Sequence, residues 1–288
     1  MITDRRGVLY VVGTPIGNLE DITLRALRIL KSVSLIAAED TRVTARLLAR
    51  HVIDTKCISF REQNAKRAIL QILEQLETGA SVALVSDAGT PSISDPGEQL
   101  VAAAAAANIV VSPIPGPSAL AAAMSTAALP GDGVRFIGFL PRSGKDRKRR
   151  LRSTAMDPSC TVIYESPHRL GNTLVDLASV CGAARSAVVF RELTKLHEEL
   201  ARGTLKELAD RFANNVKGEI TIVIAGAKTI DAEDISNEML SELVANEIKR
   251  GRSAKDTAAS LSLSLGIPKK KVYTVAVEII GRNRDSQS

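Results

Sequence analysis

The stretch that most constrains this chain is Ser81 to Leu100, SVALVSDAGTPSISDPGEQL. Val82-Ala83-Leu84-Val85 is a short apolar run with β-branched residues, bounded by turn formers, which predicts a buried strand. A polar loop follows. Ser86-Asp87-Ala88-Gly89-Thr90-Pro91 turns the chain, and Ser92 to Gly97 adds two hydroxyls, a carboxylate, a proline and a glycine. A helix is expected from near Glu98. A strand that runs into small polar residues and then a helix is how an open α/β sheet builds a ligand site at its carboxyl edge. An ordinary connection has the same order of elements, but such connections are commonly shorter.

The same alternation runs through the first half. Val8 to Val12 predicts a first strand, Gly13 to Thr23 a glycine- and proline-bearing loop, and Leu24 to Val33 a helix. Neither GxGxxG nor a P-loop lysine is present, so a dinucleotide fingerprint and a triphosphate cradle are both excluded. Leu35 to Ala38 is a second strand that ends on Glu39-Asp40-Thr41-Arg42. That cluster serves equally as a helix start capped by Asp40 or Thr41 and as a site-facing group. An amphipathic helix spans Arg61 to Thr78, an alanine-rich helix Val101 to Ala107, and a strand Ile109 to Val111. Pro113-Ile114-Pro115-Gly116-Pro117-Ser118 then crosses to a second domain, with Ser118 expected to cap the helix Ala119 to Ala128.

In the second half, strands are expected at Phe136–Leu140, Thr161–Tyr164, Ala187–Phe190 and Glu219–Ala225, with a helix at Leu205–Phe212. Charged clusters end two of these strands: Glu165-Ser166-Pro167-His168-Arg169 and Arg191 to Glu199. They suggest one shared site edge, with His168 either a base or a loop residue. Between Pro141 and Arg152, seven of twelve residues are Lys or Arg. A solvated helix start is one reading; charge this concentrated around Gly144 favours the other, a flexible loop that contacts phosphate. After Lys228 the character changes. An acidic linker at Asp231 to Asp234 leads to helices at Asn237–Arg250, Ser253–Leu265 and Lys269–Ile280. The Gly266 and Pro268 turn gives the last two a helix–turn–helix spacing, suited to nucleic acid or to packing.

Totals narrow the partners. The 288 residues suffice for two domains and an appendage, and 45% hydrophobic content supports real cores. Aromatics make up only 3%, so those cores must be aliphatic. A net charge of +6 favours a polyanion. Cys57, Cys160 and Cys181 are scattered, which points to neither a disulfide framework nor a zinc site and fits a reducing compartment. The longest apolar tract, Leu100 to Val111, falls short of the roughly 18 residues a membrane span needs, and Val8 to Val12 is too short for a signal peptide. A soluble cytoplasmic protein with no metal is expected.

VGTPIGNLEDITLRAL, AEDTR, SDAGTPSISDPG, PGPSAL, YESPHRL, RELTKLHEE and GEITIVIAG occur in this order along nearly the whole chain. Together they resemble the tetrapyrrole methylase superfamily, and within it the bacterial branch that methylates small-subunit ribosomal RNA. The resemblance implies two α/β domains, residues 1–115 and 116–230, with S-adenosylmethionine in the cleft between them. It also implies a C-terminal helix–turn–helix-like domain, 231–288, and a homodimer. The implied reaction is methyl transfer to the ribose 2′-oxygen of cytidine 1402 of 16S rRNA, on the free RNA or within the 30S subunit. Thr90 stands where the tetrapyrrole-modifying branch carries an acid, which leaves Asp87 as the loop carboxylate to mutate first.

Site residues follow from the family positions and local chemistry. Pro15, Asp87, Ala88, Gly89, Thr90, Ser92 and Ile93 are expected at the cofactor from the first domain. Ser118, Ala119 and Leu120 face it from the crossover, and Tyr164, Ile220 and Thr221 border the adenine. Glu192, Lys195 and Glu39 are the candidates to take the hydroxyl proton or orient the groups that do. Arg42, Arg142, Lys145, Arg147, Lys148, Arg149, Arg169 and Arg191 are expected on RNA phosphates. Methylation of a tetrapyrrole carbon is the alternative chemistry, and a ligand-sensing nucleic-acid regulator the alternative class.

Overall fold

The computed structural model describes residues 6–227, 237–249, 251–265 and 268–285. The chain forms two compact units, Met1–Ala227 and Lys228–Ser288. The first contains two five-stranded sheets.

The first sheet is built from β1 (Val8–Val12), α1 (Leu24–Ser32), β2 (Leu35–Ala38), α2 (Thr41–Arg50), β3 (Cys57–Ser59), α3 (Ala65–Glu77), β4 (Val82–Val85), α4 (Glu98–Ala106) and β5 (Val110–Ile114). Its strands are all parallel, in the order β3-β2-β4-β1-β5. Every residue of β2 and β4 is buried. Leu35, Ala37, Val82 and Leu84 enter the core under α3 and α4, and Ile36, Ala38, Ala83 and Val85 the core under α1 and α2. A strand covered by helices on both faces must be apolar at every position, which is why LIAA and VALV lack alternation. Each fully buried Leu, Ile or Val side chain stabilises the fold by about 1.5–3 kcal/mol. Thr23 and Asp40 cap α1 and α2 by accepting from the Ala26 and Arg42 N–H groups. All four loops at the carboxyl ends of β1, β2, β4 and β5 therefore emerge along one edge.

The second sheet comprises α5 (Ala119–Ala127), β6 (Val134–Phe139), α6 (Gly144–Met156), β7 (Cys160–Glu165), α7 (Leu170–Cys181), β8 (Ser186–Arg191), β9 (Glu199–Thr204), α8 (Leu205–Arg211) and β10 (Ile220–Ile224). Its order is β6-β7-β10-β8-β9; only β6 and β7 are parallel. Three expectations change here. The basic stretch is mostly a helix and not a flexible loop: Arg147, Leu151 and Thr154 are buried at i, i+4 and i+7, so an inward stripe lies under the lysines and arginines. The cluster Arg191 to Glu199 does not end a strand before a helix; it joins β8 to β9 in an antiparallel hairpin. ELARGT carries no strand signal in the sequence because an edge strand needs no apolar run. Ser118 precedes α5 but makes no capping bond through its side chain.

In the C-terminal unit, α9 (Asn237–Lys249), α10 (Ala254–Leu265) and α11 (Lys269–Asp285) enclose Leu240, Val244, Ala258, Val272 and Ala276. Ser253 Oγ accepts from the Asp256 N–H at the start of α10. The acidic stretch at 231–234 and the turn at 266–267 lie outside the described residues.

Candidate active-site cleft

The loops after β1 and β4 are stitched together before they reach the cleft. Thr14 and Gly89 exchange two backbone hydrogen bonds, of 2.9 and 3.1 Å. The buried Thr14 hydroxyl donates to the Ser86 carbonyl at 3.1 Å. Gly89 has a φ of 79°, a conformation glycine adopts without strain. Gly13 and Gly116 pack backbone to backbone; a Cβ on either would lie 2.8 Å from the other. Glycine is thus required where the loops after β1 and β5 cross.

Above this edge is a cavity of about 350 Å³, closed from the far side by the second sheet. Asp87, Ala88, Gly89, Thr90, Ile93, Ser118, Ala119, Tyr164, Ile220, Thr221 and Glu39, all expected at the site, line it. Pro15 is buried beside it, outside the lining. Ser92 adopts φ 69° and its hydroxyl lies against Gly97. Leu120 contributes through its backbone, its N–H donating to the Tyr164 hydroxyl at 3.2 Å. Tyr164 packs edge-on against Phe136 and Phe139, with ring centroids 4.9 and 5.9 Å away. Burial raises its phenol pKa. His168 is exposed and does not line the cavity.

Three carboxylates gather on the first-sheet side. The Asp87 N–H donates to Glu39 Oε2 at 3.2 Å, and the Asp40 N–H donates to Asp87 Oδ1 at 2.9 Å. Asp95 completes the group. Burial raises the pKa of Glu39 and Asp87, with the Asp87 charge acting on Glu39 and that of Asp40 on Asp87. Asp95 is pushed up to about 6 by burial and then by Glu39. Asp40 moves the opposite way because Arg42 hydrogen-bonds it. A second polar cavity, lined by Arg61, Glu62 and Gln63, opens on the same three acids. Among the described residues, no group of three or more His, Cys, Asp or Glu is placed to hold a metal ion.

Glu192 and Lys195 lie behind the cavity wall. Lys195 Nζ donates to Glu192 Oε1 at 2.8 Å and pairs with Glu219 Oε2 at 3.1 Å. Burial alone would lower the lysine pKa, but these two carboxylates raise it, so the amine stays protonated. The Lys195 hydrogen bond lowers Glu192. The pair is therefore suited to orienting Glu219, which lines the cavity, and poorly suited to taking a proton. Gly17, from the loop after β1, packs on this turn; a Cβ there would lie 2.5 Å from Lys195 Cγ.

The cationic residues divide into exposed and committed groups. Arg142, Lys145, Lys148 and Arg149 are exposed on and before α6, with Arg149 pairing with exposed Asp146. Arg42 is exposed but ion-paired with Asp40 at 2.6 Å. Arg147 is a correction: it is buried and held by Asp176 at 2.7 Å and by Thr173, so it does not reach a phosphate. Arg169 donates to the Leu140 and Pro141 carbonyls, and Arg191 pairs with Glu199 at 2.7 Å. Their fork-shaped side chains are spent on internal acceptors.

Asp95, Phe139 and Glu219 line the cavity without having been assigned a role from the sequence, whereas Glu165 lines it as part of the strand-end cluster expected there. Asp95 carried a usable signal, an acid within the long loop after β4. Phe139 and Glu219 carried none, because only sheet pairing brings them to the cleft.

Residues 8–209 match the family model for Tetrapyrrole (Corrin/Porphyrin) Methylases. A ribosomal RNA small subunit methyltransferase I of Synechocystis is 43% identical over 95% of this chain and 98% of that protein. One of Thermotoga maritima is 48% identical over 76% of this chain and 99% of that protein. The solved uroporphyrin-III C-methyl transferase of Thermus thermophilus, complexed with S-adenyl homocysteine, shares the fold. Its TM-score is 0.56 at 19% identity, covering 75% of this chain and 96% of that one. The chain belongs to the tetrapyrrole methylase family and, within it, to the ribosomal RNA small subunit methyltransferase I family.

Proposed function

We propose that this protein transfers the methyl group of S-adenosylmethionine to a ribose 2′-oxygen of small-subunit rRNA, the 16S cytidine that the family resemblance implies. The observation that carries this reading is the polarity of the cleft. Asp87 and Asp95 face the cavity with no ion pair among the described residues, while Ile16, Tyr164, Phe139 and Ile220 make the wall apolar. An apolar slot beside unpaired acids fits a purine joined to a cationic sulfonium and ammonium, so the residues present fit the cofactor. When bound, that cofactor supplies an already activated methyl group.

The chain's own part is to bind, align and deprotonate. Tyr164, Ile220 and Thr221 would hold the adenine. Asp87 and the Gly89 backbone would face the methionine end. Asp95 faces the cavity with its pKa pushed up to about 6 by burial, and would accept the ribose hydroxyl proton. Glu39 hydrogen-bonds the Asp87 main chain and so orients that loop. Lys145, Lys148, Arg149 and Arg142 would meet phosphates, and a 2′-hydroxyl target makes the substrate RNA. The division into residues 1–115, 116–230 and 231–288, a homodimer, a 30S-bound substrate and a cytoplasmic location belong to the same reading.

Incubation with labelled cofactor and either 30S subunits, free rRNA or a porphyrinogen tests it. Label in RNA is expected, on the ribose of one cytidine; label in the porphyrinogen alone would overturn it. Removing residues 231–288 is expected to raise the KM for RNA while leaving cofactor affinity unchanged. Calorimetry beside RNA kinetics checks this, and equal losses would mean those residues serve stability alone.

A further inference from the structure

Glu165 ends β7 at the cleft, and its side chain is fully buried. A buried carboxylate requires donors on both oxygens. Oε1 accepts from the Ser166 N–H at 2.8 Å. Oε2 accepts from Thr173 Oγ1 at 2.7 Å and lies 3.3 Å from Arg169 Nη2. Thr173 is itself fully buried, and its oxygen accepts from Arg147 Nη2 at 3.1 Å. Both arginines then grip one short piece of main chain. Arg169 Nη2 donates to the Leu140 carbonyl at 2.8 Å and to that of Pro141 at 3.3 Å. Arg147 Nη1 donates to the Pro141 carbonyl at 3.1 Å.

Leu140 and Pro141 join two working surfaces. The residue before them, Phe139, lines the cleft and packs on Tyr164. Three residues after Pro141 begins α6, with Lys145, Lys148 and Arg149 exposed. We propose that Glu165 and Thr173 are positioning residues for methyl transfer. Through Arg169 and Arg147 they fix the Leu140 and Pro141 carbonyls, and so hold the Phe139 wall and the basic helix in one register. The RNA half of this rests on the function proposed above. The two residues act through the main chain and not on the reacting atoms. Thr173 is the link between Glu165 and Arg147: removing its hydroxyl leaves Glu165 Oε2 to Arg169 alone and Arg147 to Asp176 and the Pro141 carbonyl, so the two arginines are no longer tied together through Glu165 and Thr173.

Thr173→Val removes that hydroxyl at nearly constant shape, and Thr173→Ser restores it. Cofactor Kd is measured by calorimetry and RNA KM by methyl transfer, at a temperature where each variant is folded. Thr173→Val is expected to raise both constants together, each about tenfold, because small displacements of positioning groups are costly. Thr173→Ser is expected to recover both. Leu177→Ala, a core change on the same helix, serves as the control and should lower Tm with both constants unchanged. If Thr173→Val lowers Tm but leaves the constants at wild-type values, the network is only structural and the proposal is overturned. A rise in one constant without the other also overturns it. Should Thr173→Val fail to fold, Arg147→Lys keeps the charge, loses the fork and is expected to give the same joint rise. If the wild type binds cofactor but methylates no RNA, the functional reading fails by itself. An unchanged cofactor Kd in Thr173→Val would then still refute the Phe139 half.

Discussion

On the first-sheet side of the cleft, Glu39, Asp87 and Asp95 carry no ion pair among the described residues, and all three are harder to ionise than ordinary carboxylates. On the second-sheet side, Glu165, Glu192 and Glu199 each lie within ion-pair distance of an arginine or lysine. The difference separates two uses of the same group. An acid with a dedicated internal cation has its hydrogen-bonding capacity spent on the scaffold. An acid left without one faces a cavity that a cationic or proton-bearing ligand must satisfy, and perturbed acids of that kind concentrate at working sites.

Asp95→Asn tests the unpaired side and should produce the largest effect. Loss of a positioned base is expected to lower kcat by about 100-fold or more, with cofactor Kd changed far less. The wild-type kcat should rise as pH passes through about 6, and the variant should lack that limb. Stability should respond in the opposite sense. The folded pKa of Asp95 lies above the unfolded one, so its contribution is full below the ordinary carboxylate value and is lost as pH rises to about 6. Asp95→Asn is therefore expected to melt above the wild type at pH 7.5, with the gap closing by pH 4. Equal melting curves at both values would remove Asp95 from the unpaired class.

Cations on the two sides of α6 extend the contrast. Changing exposed Lys145, Lys148 and Arg149 together to Gln should raise the RNA KM about tenfold at physiological salt and flatten the log–log salt dependence by about 2. Tm should scarcely move, since exposed pairs such as Arg149 with Asp146 contribute little. The smallest effect on activity is expected on the paired side. Glu199 accepts from Arg191 and Arg211, both at 2.7 Å, and these bonds lower its pKa. Glu199→Gln should cost about 1 kcal/mol of stability in urea titration and leave kcat unchanged. A fall in kcat as large as that of Asp95→Asn would erase the distinction between paired and unpaired acids.

Local sequence was sufficient for elements whose neighbours do not matter. VALV and LIAA are strands because a run apolar at every position, four residues long and bounded by polar residues or turn formers, fits a strand buried on both faces. Asp40, one of the two caps expected at α2, marks that helix start because its capping bond spans only two residues, whereas the Thr23 cap of α1 was not expected. The loop from Ser86 to Pro91 was legible as a turn at a strand end because its glycine, proline and small polar groups are local signals, and in the structure Asp87 to Thr90 line a cavity. The edge strand Glu199–Thr204 was not legible, because β8 supplies its hydrogen bonds and no apolar pattern is needed. The basic run from Arg142 to Arg152 was legible as charge but not as a helix with a buried face, since Arg147 looks like its neighbours until Asp176 and Thr173 are placed beside it.

By itself, the order of residues determined most of the strands, a helix start such as that at Asp40, and a polar glycine-bearing loop at the end of β4. Those outcomes depend on backbone sterics and side-chain pattern within a few positions. Only the tertiary structure decided which charges remain available. Whether an aspartate is spent or poised, or an arginine free or buried, depends on partners dozens of residues away and on how much water the surrounding walls exclude. Glu39 and Asp95 meet because two parallel strands end side by side. Arg147 is lost to RNA because α7 crosses beneath it.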